Sequence, residues 1–260
     1  MEYIENYYSN YDEEARFDQK HNLVEYLTTL RYIQKYIKPD FYVLEVGAGT
    51  GRYSRAIADM GYSVTAVELT AHNIEIFKRN MTPKQNIRVI QGNTLDLSIF
   101  EDNTFDMTLL LGPLYHLYTE EDKKQAISEA LRVTKTNGLV FVAYCISDAS
   151  LLEAFRDGGG WIPDYLKSGK INPVTFDTTS VPEDVFELVR KDDIDRIMSS
   201  FTVERLHYVA TDMVSRLIRD SLAEMPDDVF DMYLRFHYAV CERPDMVGVT
   251  MHSLDIFRKK

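Results

Sequence analysis

Residues 43–51 read Val-Leu-Glu-Val-Gly-Ala-Gly-Thr-Gly, a short apolar run that ends in glycines at three alternate positions. Few folds can use that pattern. Gly47, Gly49 and Gly51 lay bare backbone at the end of a strand, where a side chain would hold a ligand away or forbid the turn. A helical stretch begins at Arg52, and the next strand-like segment, 63–68, finishes in Glu68, seventeen positions after Gly51. An acid at that distance can accept the two hydroxyls of a ribose across the tip of the first strand. The chain is thereby drawn toward a parallel βαβ unit that meets its ligand at the carboxyl ends of the strands.

The alternation continues. Strands are predicted over 42–46, 63–68, 86–91, 105–111 and 138–144, with helices over 52–60 and 72–80. Thr119 reads as the N-cap of a further helix that runs through Leu131. Ahead of the first strand, Leu23, Tyr26, Leu27, Leu30, Ile33 and Ile37 recur at helical spacing until Pro39 stops them. Such repetition predicts a mostly parallel sheet with helices on both faces. After Tyr144 the regularity breaks. Residues 147–191, with three consecutive glycines at 158–160, are too long for an ordinary connection. A helix over 192–199 and a strand over 201–209 follow, then a second excursion over 211–245 and a last strand over 249–257. The organisation expected is a lid and helix over 1–37, a core over 38–146 and a cap insertion over 147–191. The core continues over 192–210, a helical cap insertion covers 211–245, and the final core strand lies in 246–260.

The chain of 260 residues suffices for one large α/β domain, or one domain with a substantial insertion. Its 41 acids outnumber 29 bases, and no Lys/Arg cluster of the kind that phosphate backbones reward is present. A nucleic-acid partner is therefore disfavoured, and a small neutral or cationic substrate suits the charge better. Cys145 and Cys241 form no CxxC, which indicates neither a disulfide framework nor a zinc knuckle. His237 and Cys241 stand four apart on a helix with nothing to complete a ligand set, so no metal is expected. The first residues lack a signal-peptide pattern and no apolar stretch is long enough to span a bilayer. The expectation is a cytoplasmic protein without a membrane partner, either monomer or homodimer.

The G-x-G-x-G loop, with Glu45 at the strand tip and Glu68 downstream, resembles that of class I (Rossmann-like) S-adenosylmethionine-dependent methyltransferases of the small-molecule type. Dinucleotide dehydrogenases usually show G-x-G-x-x-G instead. The resemblance spans about 43–145. It implies a doubly wound, mostly parallel seven-stranded α/β sheet with an N-terminal helical lid and an inserted cap. It also implies methyl transfer from S-adenosylmethionine, leaving S-adenosylhomocysteine. By the same resemblance, Gly47, Gly49, Gly51 and Leu111 surround the amino-acid end of the cofactor, and Glu45 orients that loop. Glu68 and Leu69 meet the ribose, and Asn93, Thr94 and Leu95 meet the adenine. An acid often stands near Asn93 in the family; here the position is an amide, and Asp96 is the alternative.

On the acceptor side, Gly112-Pro113-Leu114-Tyr115 lacks the polar first residue of the Asn/Asp-Pro-Pro-aromatic motif of DNA-amine methyltransferases. Base methylation of that type loses support. The N-terminal cluster of Tyr7, Tyr8, Tyr11, Asp12, Arg16 and Phe17 resembles a lid, whose aromatic faces favour positive charge. A helix anchor packed on the sheet is the alternative. Tyr11, Tyr115 and His116 are the candidate catalytic residues, with a packed hinge as the other reading of His116. Tyr7, Trp161, Arg216 and His237 are candidate substrate contacts; a packed helix face is the other reading of His237. The expected function is methylation of a small molecule, nitrogen ahead of oxygen. The alternatives are a protein or RNA methyltransferase working in a complex, and a non-catalytic S-adenosylmethionine-binding regulatory protein.

Overall fold

The strands at the centre of the sheet are mostly apolar because helices cover both of their faces. In β1 (Tyr42–Val46), Val43 packs with Ile57, Phe141 and Leu254 on one face, and Leu44 and Val46 pack with Ala126, Ala130 and Ile194 on the other. The structure, a computed structural model, describes residues 2–260; Met1, the first residue of the expected lid, lies outside the described residues.

The strands are β1, β2 (Ser63–Glu68), β3 (Ile87–Gln91), β4 (Phe105–Leu110), β5 (Thr134–Ile146), β6 (Leu188–Val189), β7 (Val203–Ala210) and β8 (His252–Lys259). Seven of them follow the order β3-β2-β1-β4-β5-β8-β7. All neighbours are parallel except β8, which runs antiparallel between β5 and β7. The chain moves from β1 to β2 and β3 on one side, then crosses to β4 on the other. That reversal opens a crevice beyond the carboxyl end of β1, where open α/β sheets bind ligands.

Three details differ from the expected elements. The two-residue β6, inside the segment expected as a cap, pairs with Cys145 and Ile146 and adds an eighth strand. It finds a free edge there because β4 stops at Leu110, opposite Val142, and leaves the end of β5 unpaired. β5 begins at Thr134 rather than 138, since a bulge carries the register from Thr134 to Leu139 past Asn137, whose φ is 64°. β8 starts three residues late because Thr250 and Met251 are held by Asp212.

The helices are α1 (Glu2–Asn10), α2 (Lys20–Tyr36), α3 (Arg52–Asp59), α4 (Ala71–Asn80), α5 (Glu120–Val133), α6 (Ser147–Arg156), α7 (Ile162–Ser168), α8 (Lys191–Met198), α9 (Arg219–Glu224) and α10 (Asp227–Val240). A 3-10 turn over Glu14–Asp18 joins α1 to α2. Among the described residues no helix is long and apolar enough to cross a membrane. Thr119 caps α5, its hydroxyl accepting from the Asp122 amide at 3.1 Å. Thr119→Ala is expected to cost about 1 kcal/mol, read as a fall of a few degrees in a thermal melt. An unchanged melting temperature would mean the cap bond is replaced by water.

Candidate functional site

The crevice beyond β1 is shaped by the glycine turn. Gly47 has φ +71° and donates its amide to the Val67 carbonyl at 2.8 Å, tying the turn to the end of β2. A Cβ on Gly47 would stand 2.6 Å from the ring of Pro113, so the tips of β1 and β4 approach this closely only with glycine there. Gly51, expected as a cofactor contact, also has a packing reason to be glycine. It does not line the crevice; it starts α3 with φ +81°, and a Cβ there would stand 2.3 Å from the buried ring of Phe77.

Glu45, Gly47, Gly49, Glu68, Leu69, Asn93, Thr94, Leu95 and Leu111 line one cavity of about 290 Å³ in this crevice, with Tyr115 and His116 at its other side. Glu45 is buried and accepts from the Ser54 hydroxyl. Burial pushes its carboxyl up to about 8, so the site keeps this group largely neutral until a positive charge approaches it. Glu68 does more than its distance from the loop foretold. Its Oε2 accepts from the Gly49 amide at 2.8 Å, and Oε1 accepts from the Thr70 amide and hydroxyl at 2.9 and 2.8 Å. Oε2 carries only one of these bonds and keeps capacity for another donor. The Asn93 amide oxygen accepts from the Leu95 amide at 3.0 Å within its own turn. Asp96 is exposed, accepts from the Ser98 amide and does not line the cavity, which removes the alternative to Asn93.

Thr50 Oγ1, Asn73 Oδ1 and Thr94 Oγ1 are buried and have no hydrogen-bond partner, and all three residues line this cavity. Buried polar atoms without partners are costly, so a cluster of them around one space marks a place built for a polar ligand.

A second cavity, of about 560 Å³, shares Tyr8, Glu13, Arg16 and Tyr115 with the first. Tyr7, Tyr11, Trp161, Phe186 and Arg216 are on its walls. Tyr7 stacks on Tyr11 with centroids 5.3 Å apart and meets Phe186 edge-on at 5.2 Å. Arg216 donates to Glu153 at 3.3 Å and to Asn22 at 3.1 Å. The Tyr115 hydroxyl donates to the Leu111 carbonyl at 3.0 Å. His116 Nδ1 lies 2.8 Å from the Val185 carbonyl, which can only accept, so this nitrogen carries the proton. Nε2 then accepts from the Tyr8 hydroxyl at 2.9 Å. Burial lowers this imidazole to about 4, so it is neutral near pH 7 with its lone pair already engaged. His237 is placed elsewhere: it is fully buried on α10 beside Tyr233 and Tyr238 and lines neither cavity.

No spacing in the chain signals the ionic cluster in which Arg16 and His252, on the wall of the larger cavity, meet Glu25 and Asp212. His252 Nδ1 is 2.8 Å from Asp212 and 3.3 Å from Glu25, and Arg16 is 2.5 Å from Glu25. Burial opposes charge on His252, but Glu25 and Asp212 outweigh it and hold the imidazolium up to about 10. The ligand atoms of Glu25, Asp212 and His252 lie within 4.8 Å of one another, as around a metal ion. The Arg16 guanidinium and the imidazolium proton supply the positive charge that a metal would bring. These residues come from four segments, 16 to 252, and only folding brings them together.

Comparison with known proteins agrees with this geometry. Residues 44–142 match the family model described as "Methyltransferase domain". The chain is 37% identical over 102 residues to a demethylmenaquinone methyltransferase of Renibacterium salmoninarum, a match that covers 39% of this chain and 40% of that one. It is 27% identical over 116 residues to a glycine/sarcosine N-methyltransferase of Aphanothece halophytica, covering 44% of each. The chain thus spans about two-fifths of the length of the curated relatives it matches. Among solved structures, a Thermotoga maritima protein described as a "SAM-dependent methyltransferase, possible histamine N-methyltransferase" superposes with a TM-score of 0.58 at 17% identity, covering 100% of this chain and 99% of that one. A Methanosarcina mazei protein described among SAM-dependent methyltransferases gives 0.58 at 16% identity, covering 88% and 96%. The fold is that of the class I S-adenosylmethionine-dependent methyltransferases, and the match to the methyltransferase domain falls on residues 44–142 of it.

Proposed function

We propose, from a methyltransferase domain on this fold, that the protein transfers a methyl group from S-adenosylmethionine to a small molecule held in the larger cavity. The observation that carries the donor site is the set of unpartnered buried polar atoms on Thr50, Asn73 and Thr94 around the smaller cavity. Glu68 and Asn73 take the ribose hydroxyls, residues 93–95 the adenine, and Glu45 with the glycine turn the amino-acid end. Bound S-adenosylmethionine supplies a methyl group activated by its sulfonium charge. The chain's own residues exclude water and align the acceptor, a contribution of position more than of chemistry. Tyr7, Tyr8, Tyr11 and Tyr115 present aromatic faces that suit positive charge. The substrates named for the relatives, demethylmenaquinone and glycine or sarcosine, support a small acceptor. Nitrogen ranks ahead of oxygen because the lone pair of His116 is already bonded to Tyr8, which leaves no free imidazole to take a hydroxyl proton.

Calorimetric titration with S-adenosylhomocysteine tests the donor site. One-to-one binding is expected, abolished by Gly49→Val, whose side chain enters the cavity, and weakened about tenfold or more by Glu68→Ala. Folded wild-type protein that fails to bind would remove the assignment.

A further inference from the structure

At the junction of the two cavities stands a carboxylate that the protein leaves almost unpartnered. Glu13 follows α1 and lines both spaces, and its Cγ would lie 3.7 Å from a Cβ on Gly49. No hydrogen bond reaches its carboxylate from the described residues; its one ion pair is a long one, 3.7 Å to Arg16. The charges around it explain why this matters. Arg16 and the His252 imidazolium are matched by Glu25 and Asp212. Across the larger cavity Arg216 and Arg219 are held by Glu153, and Arg156 and Arg219 by Asp157. Tyr7, Tyr8, Tyr11 and Tyr115 face the same junction and keep their protons, and Glu68 adds a further negative charge from the loop side. Glu13 therefore stands where the two cavities meet with no hydrogen bond on its carboxylate and only the long contact to Arg16 as a cation partner, beside stacked Tyr7 and Tyr11.

From this geometry we infer that Glu13 binds the acceptor as an ammonium and takes its proton, so that the protein's substrates are protonated amines. The inference rests on the donor site proposed above and goes beyond it in assigning the acceptor class and the base. The N–H bond of the ammonium breaks and an O–H bond forms on the Glu13 carboxyl. The electron pair stays on nitrogen, which is then the nucleophile that methyl transfer requires. Burial pushes the Glu13 carboxyl up from its ordinary value, against the pull of Arg16, which raises its basicity for this role.

The test uses the full chain saturated with S-adenosylhomocysteine and two probes of one shape, 2-phenylethylamine and 2-phenylethanol, titrated near neutral pH. Wild type is expected to prefer the ammonium to the alcohol by about tenfold or more, and Glu13→Gln to lose that preference with its alcohol affinity unchanged. Equal binding of the two probes by wild type, or an ammonium preference that survives in Glu13→Gln, overturns the proposal and leaves the donor site standing. A loss of S-adenosylhomocysteine affinity in Glu13→Gln with the ammonium preference intact assigns Glu13 to the cofactor and also overturns it. Wild type that does not bind S-adenosylhomocysteine removes the donor site, and the proposal with it.

Discussion

Asp212→Ala is expected to destabilise the protein by about 3–5 kcal/mol, because it leaves buried positive charge without its partner. The carboxylate is buried and all of its bonding is internal. Oδ1 accepts from the Met251 and His252 amides and the Thr250 hydroxyl, and Oδ2 faces the His252 ring at 2.8 Å. At this chain length such a loss lowers the melting temperature by roughly 10 °C. A pH series sharpens the expectation. The folded His252 is raised to about 10 from an ordinary value of 6.5. A raised imidazole stabilises the fold fully below its unfolded value and loses that contribution as pH rises through the folded one. Wild-type stability from this source should therefore decline between about pH 6.5 and 10, and Asp212→Ala should show a flatter profile. A variant that melts with the wild type across this range would show that the cluster contributes nothing to stability.

Gly47→Ala is expected to weaken S-adenosylhomocysteine binding on the order of a hundredfold, about 3 kcal/mol. Two costs combine. An L-residue held at φ +71° pays roughly 1–2 kcal/mol, and a methyl group 2.6 Å from Pro113 forces apart the tips of β1 and β4 for about 1–3 kcal/mol more. Part of that sum appears as lost stability and part as a widened crevice. Gly61→Ala separates backbone strain from packing, since its φ is +95° and nothing lies within 4 Å of the added carbon. It should lower stability slightly and leave binding alone. Equal affinity in Gly47→Ala and wild type would mean that the contact with Pro113 relaxes without moving the site.

The sequence alone determined what local pattern can carry. Apolar runs bounded by glycine and polar residues specified β1, β2 and β4 within a residue, because strands buried on both faces are mostly apolar. The turn after β1 and the acid ending β2 were readable for the same reason: each requirement lies within a few residues of chain. Asp106, at the start of β4, accepts from the Tyr42 amide and pairs with Lys135, tying β4 to the strands on either side. Local pattern could not show what excludes a side chain at Gly51, since the Phe77 ring lies twenty-six positions on, in α4.

The tertiary structure decided everything that depends on residues far apart. β6 exists because β4 ends early and leaves an edge on β5, a relation no two-residue segment announces. His116 could be read in the chain as a catalytic residue or a packed hinge; folding brings Tyr8 to its Nε2 and Val185 to its Nδ1, from 108 and 69 positions away. His237 and Trp161 carried the same kind of signal in the chain, yet one is sealed inside α10's packing and the other lines the larger cavity. Glu13 had no motif at all. Its significance is positional: it stands where the two cavities meet with no hydrogen bond on its carboxylate, and that place exists only after the chain has folded.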